Sequence, residues 1–139
     1  MSGEVAQHNS VALQDGPRGS ERPESPFTSR QLARLDEALT LSSRECGLEF
    51  SVFVGPLQAP MRAAAESLFT RLTPSSVLLA VSPGQRCLHI VTGEESAKRL
   101  PNRACALAAL TMRASFSNGD LTGGIVNGLR MLADSAGRA

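Results

Sequence analysis

The run Thr92-Gly93-Glu94-Glu95 concentrates more reactive chemistry than any other stretch of the chain. A glycine there lets backbone approach a ligand closely, and Thr92 or Gly93 at a helix N-terminus would present amides whose dipole favours an anion. Glu94 and Glu95 offer paired carboxylates suited to a hard cation. A plain helix start explains the same four residues: threonine caps, and acidic residues in the first turn complement the dipole. A second polar group, Thr73-Pro74-Ser75-Ser76, precedes an apolar run. If the strands on either side form a hairpin, the two polar loops meet at one end of a sheet, where α/β proteins often build sites.

Other reactive side chains are sparse. Cys87 and His89 stand two apart, so a strand would put them on one face, compatible with metal ligation if Cys105 or a carboxylate completed the set. No second pair has metal spacing, and a half-buried histidine beside a structural cysteine is the plainer reading. Asp120, after Ser117-Asn118-Gly119, reads as a ligand-facing carboxylate or as a helix N-cap. Gly124 and Gly128 lie four apart on the last helical stretch, which points to close backbone approach to a sheet.

The elements that must position these residues follow from periodicity. Thr28 and Gln31 make a capping box for a helix carrying Leu32, Leu35 and Leu39 and stopping at Gly47. Residues 48–54 (LEFSVFV) form a buried strand, and Pro60 opens a helix to about Leu72 with Met61, Ala65, Leu68, Phe69 and Leu72 on its buried stripe. Residues 77–81 (VLLAV) are apolar throughout, as in a strand covered on both faces. Ser82 to Gln85 turn the chain into a returning strand at 87–91. A short helix over 94–100, a longer one from Pro101 to about Phe116 and a last one from about Asp120 to Ala133 complete the order. Leu121, Ile125, Leu129 and Leu132 stripe the last helix. The predicted fold is an α/β three-layer α/β/α sandwich: a small mixed sheet, made of a β-α-β crossover plus a β-hairpin, with helices on both faces.

Composition narrows function mainly by exclusion. The 139 residues suit one domain, read as residues 28–139 behind a disordered leader of residues 1–27, whose prolines, glycines and polar residues show no apolar period. Formal net charge is +1, and with five Phe but no Trp or Tyr there is neither a phosphate-backbone footprint nor a base-stacking platform, so nucleic acid is not an expected partner. Thirteen of the fourteen cationic residues are arginine, a bias with no functional weight by itself. Three scattered cysteines suit a reducing compartment, and the absence of a signal peptide or a spanning apolar run leads to the expectation of a cytoplasmic protein without a membrane span.

Four segments in order carry a family resemblance: CGLEFSVFVGPL, AAAESLFTRL, SSVLLAVSPGQRCLHIVTGEE and FSNGDLTGGIVNGLRML. Over about residues 29–135 the chain resembles a divergent TPM domain, the family of thylakoid phosphatase, a photosystem repair protein and a levamisole-receptor modulator, and it looks closest to an actinobacterial branch of unknown function. The resemblance implies an α/β/α sandwich and, in some relatives, acid phosphatase activity or divalent-cation binding through acidic loops. This chain departs there, with Pro74, Ser75 and Ser76 where relatives often carry Asp and Asn, and Leu100 and Pro101 where an acidic residue often stands. The expectation is therefore a non-catalytic cytoplasmic module that binds a protein partner or small ligand through Thr73, Ser75, Ser76, Thr92, Gly93, Glu94 and Glu95. The alternative is a divalent-metal-dependent, phosphatase-like hydrolase with Ca²⁺ or Mg²⁺ held by Glu94, Glu95 and Asp120.

Overall fold

The computed structural model describes the backbone of residues 11–13 and all of residues 26–138. Helix α1 (Ser29–Cys46) starts where both halves of the capping box close: Thr28 Oγ1 accepts from Gln31 N at 3.1 Å and Gln31 Oε1 accepts from Thr28 N at 2.9 Å. It ends at Gly47, whose φ of 82° only glycine adopts without steric cost. Strand β2 (Glu49–Val54), helix α2 (Met61–Phe69) and strand β3 (Ser76–Ser82) form the parallel crossover. A 3₁₀ turn at Pro83–Gln85 leads into strand β4 (Cys87–Thr92), antiparallel to β3 with Val77 opposite Thr92 and Ser82 opposite Cys87. Helices α3 (Asn102–Ser117) and α4 (Leu121–Ala136) close the chain.

A fourth strand, β1 (Val11–Leu13), pairs in parallel with β2, Val11 beside Val52 and Leu13 beside Val54, giving the sheet order β1-β2-β3-β4. These three residues fall within the 1–27 span expected to be a disordered leader, and there the expectation is corrected. Three apolar residues are too short a run to announce a strand, but an exposed edge of β2 supplies the backbone partners they need. Residues 1–10 and 14–25 of that leader lie outside the described residues.

Period-two alternation splits the core into two layers. Phe50, Val52 and Val54 of β2, Val77, Leu79 and Val81 of β3, and Leu88 and Ile90 of β4 face α1, α3 and α4. Phe53, Leu78, Ala80 and Val91 face α2, where Ala65 is buried and Met61, Leu68, Phe69 and Leu72 pack beside it. The sandwich is thus three helices, a mixed sheet and one helix. Two expectations need adjusting. The second helix ends at Phe69, not Leu72, because the Thr70 hydroxyl turns back to Ser67 O at 2.7 Å. Gly124 and Gly128 do not approach the sheet; a methyl at Gly124 would lie 2.6 Å from Phe116 Cε1, and one at Gly128 would lie 2.6 Å from Met112 Cγ. The bare backbone of α4 receives the side chains of α3, a close helix pairing that the stripe pattern alone does not distinguish from packing on a sheet.

Candidate functional site

The structure brings together the two polar loops expected to meet, Thr73–Ser76 and Thr92–Glu95, at the end of the sheet where β3 begins and β4 ends. Several of their donors, however, are already engaged with the protein itself. Pro74 O accepts from Glu95 N at 3.0 Å and from Ser96 N at 3.1 Å, and Ser96 Oγ accepts from Gly93 N at 2.8 Å while donating to Ser76 O at 2.7 Å. Gly93 is buried with no room for a side chain: a methyl would press on Pro74 O and lie 2.9 Å from Phe69 Cζ. The Gly93, Glu95 and Ser96 amides are thus spent on closing the junction. The helix expected over 94–100 contracts to one 3₁₀ turn, Ser96–Lys98, and Thr92 does not cap it.

The Thr73 and Ser76 side chains are engaged in the same way. Thr73 Oγ1 donates to Glu49 Oε1 at 2.7 Å and lies 2.9 Å from Ser76 Oγ. Glu49, which the sequence reading passed over, stands beside Ser76 in the parallel register, and that pairing was the available signal. Ser75 contributes its carbonyl to Glu49 N at 3.2 Å. Glu94 and Glu95 are exposed, and Glu95 pairs with Lys98 at 3.5 Å, a surface ion pair of small energetic weight. Asp120 does not join them. It caps α4 by accepting from Gly123 N at 2.9 Å, at the opposite end of the sheet, about 20 Å away by the rise of a strand of this length. Among the described residues no three His, Cys, Asp or Glu side chains gather as a metal would require. Cys87 packs on the α2 side and Cys105 on the opposite face, which parts the Cys87, His89 and Cys105 set.

Two groups shift their titration. Burial lowers His89 below its ordinary value, with the charges of Arg62 and Arg113 acting in the same direction and Glu66 opposing. Burial raises the Cys105 thiol, against a lowering from Arg62. Both effects lie along the outer edge of β4, where Arg62 donates to Ile90 O at 3.2 Å and Arg113 to Leu88 O at 3.3 Å. One arginine from each helical layer thus closes carbonyls that an edge strand leaves open.

An open cleft of about 450 Å³ lies at the other end of the sheet, beyond the carboxyl end of β3. Val81, Ser82 and Pro83 form one side; Arg86, Cys87 and Leu88 follow round the hairpin. Arg113, Phe116 and Ser117 from α3, with Gly119 and Leu121 before and within α4, form the other. The hairpin turn is pinned to the loop after β2, because Gln85 Nε2 donates to Leu57 O at 2.9 Å and Leu57 N donates to Gln85 Oε1 at 2.8 Å, while Gly55 N donates to Val81 O at 3.0 Å. Phe116 reaches the cleft wall across the bare backbone of Gly124. The lining carries two guanidinium groups and no Asp, Glu or His, so its hydroxyls and thiol have no neighbouring base to activate them.

Comparison with known proteins places the chain at this point. Residues 9–133 match the model of a domain of unknown function, DUF5130. The chain belongs to that family. The uncharacterized proteins Rv2468c and MT2543, from two strains of Mycobacterium tuberculosis, are each 36% identical over 110 residues, covering 78% of this chain and 66% of theirs, just under two thirds of their length. Among solved structures, the DUF5130 chain is similar to the BA42 protein of Bizionia argentinensis, with a TM-score of 0.74, 14% identity, and coverage of 81% of this chain and 83% of that one. It is also similar to the N-terminal domain of a P. gingivalis protein, with a TM-score of 0.70, 18% identity, and coverage of 80% and 76%. At such identity these likenesses establish the α/β sandwich and nothing more. No helix among the described residues of this DUF5130 domain is long and apolar enough to cross a membrane.

Proposed function

We propose that this DUF5130 chain is a non-catalytic binding module of TPM-like architecture, acting in the cytoplasm, and that a small ligand enters the cleft between the β3–β4 turn and the α3–α4 junction. The make-up of that cleft carries the reading. It is concave, lies beyond the carboxyl end of a parallel strand, mixes apolar walls with a few polar groups, and has no acid or base to run chemistry. The junction at Thr73–Ser76 and Thr92–Glu95 is a structural seam in this reading, with Thr73, Ser76, Gly93 and the Glu95 amide bonded from within. A metal-dependent hydrolase would instead use Glu94 and Glu95, with Asp120 too far away to help.

Amide chemical-shift mapping of the ¹⁵N-labelled chain tests this proposal, using a panel of small carboxylates, phosphates and neutral amphiphiles and, separately, CaCl₂ and MgCl₂. Saturable shifts clustered at Arg86, Leu88, Ser117 and Leu121 are expected. Absence of any response there overturns the cleft reading. A saturable thermal shift with Ca²⁺ or Mg²⁺ that disappears in Glu94→Gln/Glu95→Gln returns the metal-dependent alternative, because a ligand selective for the native state raises apparent stability by mass action.

A further inference from the structure

Resting on the cleft reading, we infer that its ligand is an anion-headed amphiphile: a carboxylate or phosphate group joined to a short apolar body. Arg86 and Arg113 both line the cleft. The Arg86 side chain makes no hydrogen bond or ion pair among the described residues, so all five of its donors are available. Arg113 spends one contact on Leu88 O at 3.3 Å, which holds its head against the β4 edge with further donors to spare. Guanidinium forks of this kind match the planar or tetrahedral oxygens of carboxylate and phosphate.

The placement of Arg86 is imposed by the turn. Its φ of 54° is the single positive value at a non-glycine residue among the described residues, and its N–H closes on Pro83 O at 3.1 Å. A β-turn position that favours glycine or asparagine instead carries a long cation beside the cleft. No carboxylate lines the cleft to neutralise the pair. Asp120, next in sequence to the lining residue Gly119, has its Oδ1 on Gly123 N as the cap of α4.

The rest of the lining sets the other half of the ligand. Val81, Leu88, Phe116 and Leu121 give the cleft apolar walls, which a bare inorganic anion would leave uncovered. A cation finds no carboxylate or imidazole among the lining residues and two guanidinium groups instead, and a nucleic acid finds neither a basic field, at a net charge of +1, nor aromatic stacking residues beyond Phe.

Titration of the full chain with octanoate, octyl phosphate, octanamide and sodium acetate, followed by amide shifts and by calorimetry, tests the assignment. Octanoate or octyl phosphate is expected to shift Arg86, Leu88 and Leu121, and whichever binds more tightly identifies the preferred head group. Arg86→Gln is expected to weaken that binding roughly tenfold or more, since it removes charge-assisted hydrogen bonds. This variant breaks no observed contact, so its melting curve serves as the folding control. Arg86→Gln/Arg113→Gln should weaken binding further. Octanamide binding as tightly as octanoate, or Arg86→Gln leaving affinity unchanged, overturns the anion assignment while the cleft reading stands. Acetate matching octanoate overturns the apolar half. No response in the cleft to any of the four overturns both this inference and the reading beneath it.

Discussion

Replacing Gly93 by alanine puts the seam between the two polar loops to a direct test. The added methyl would meet Pro74 O, lie 2.8 Å from Pro74 C and 2.9 Å from Phe69 Cζ, so backbone must move and not merely a flexible side-chain end. Overpacking of this kind costs about 1–3 kcal/mol. Moving Pro74 O also loosens its bonds from Glu95 N at 3.0 Å and Ser96 N at 3.1 Å. Each such bond is worth about 1 kcal/mol if lost. The lower entropy of an unfolded chain carrying alanine offsets about 0.4–1 kcal/mol. The net expectation is a loss of about 2–4 kcal/mol, a fall in melting midpoint on the order of 10 °C for a domain of this size. Urea unfolding followed by circular dichroism at 222 nm reads the change in midpoint at constant slope. Gly84→Ala is the internal control, since nothing lies within 4 Å of a methyl there and its φ is not positive; it should be as stable as the parent or more stable by up to about 1 kcal/mol. A Gly93→Ala protein as stable as Gly84→Ala would show that the loops are not packed as described.

Ser96→Ala should cost about 2–4 kcal/mol in the same assay, because it strands the buried Gly93 N and Ser76 O together; a loss no greater than that of exposed Thr73→Ala would refute the role given to this hydroxyl. Stability should fall as pH drops from neutral through the ordinary histidine range. Folding holds the His89 pKa down, so the unfolded chain takes up its proton first on acidification, and the loss levels off once pH passes below the folded pKa. His89→Gln should flatten that part of the profile in urea midpoints at pH 7.5, 6.5 and 5.5; identical slopes for both proteins would discount the lowering by burial, Arg62 and Arg113.

Much of the fold was legible because it rests on local rules. The Thr28–Gln31 box, the Gly47 stop, the Asp120 cap and the apolar stripe of α4 each depend on residues within a few positions of one another. Even the meeting of Thr73–Ser76 with Thr92–Glu95 could be foreseen, since hairpin topology brings those ends together whatever their side chains do. Their chemistry could not. Whether an amide is free for a ligand depends on distant partners such as Pro74 O for Ser96 N, or Glu49 for Thr73, and that information is carried by register.

The sequence by itself determined the layered class, the capped ends of α1 and the start of α4, and the alternation that divides the core, because burial periodicity and capping are properties of neighbouring residues. Only the tertiary structure decided three other matters. Val11–Leu13 became a strand because β2 offered an edge, and Gly124 and Gly128 accepted α3 because two helices lie side by side. Arg86, Arg113, Phe116 and Leu121 reached one cleft through chain folding that brings a turn and two helix ends together across up to 35 positions of sequence. Concavity arises between elements, so no local pattern of residues announces it.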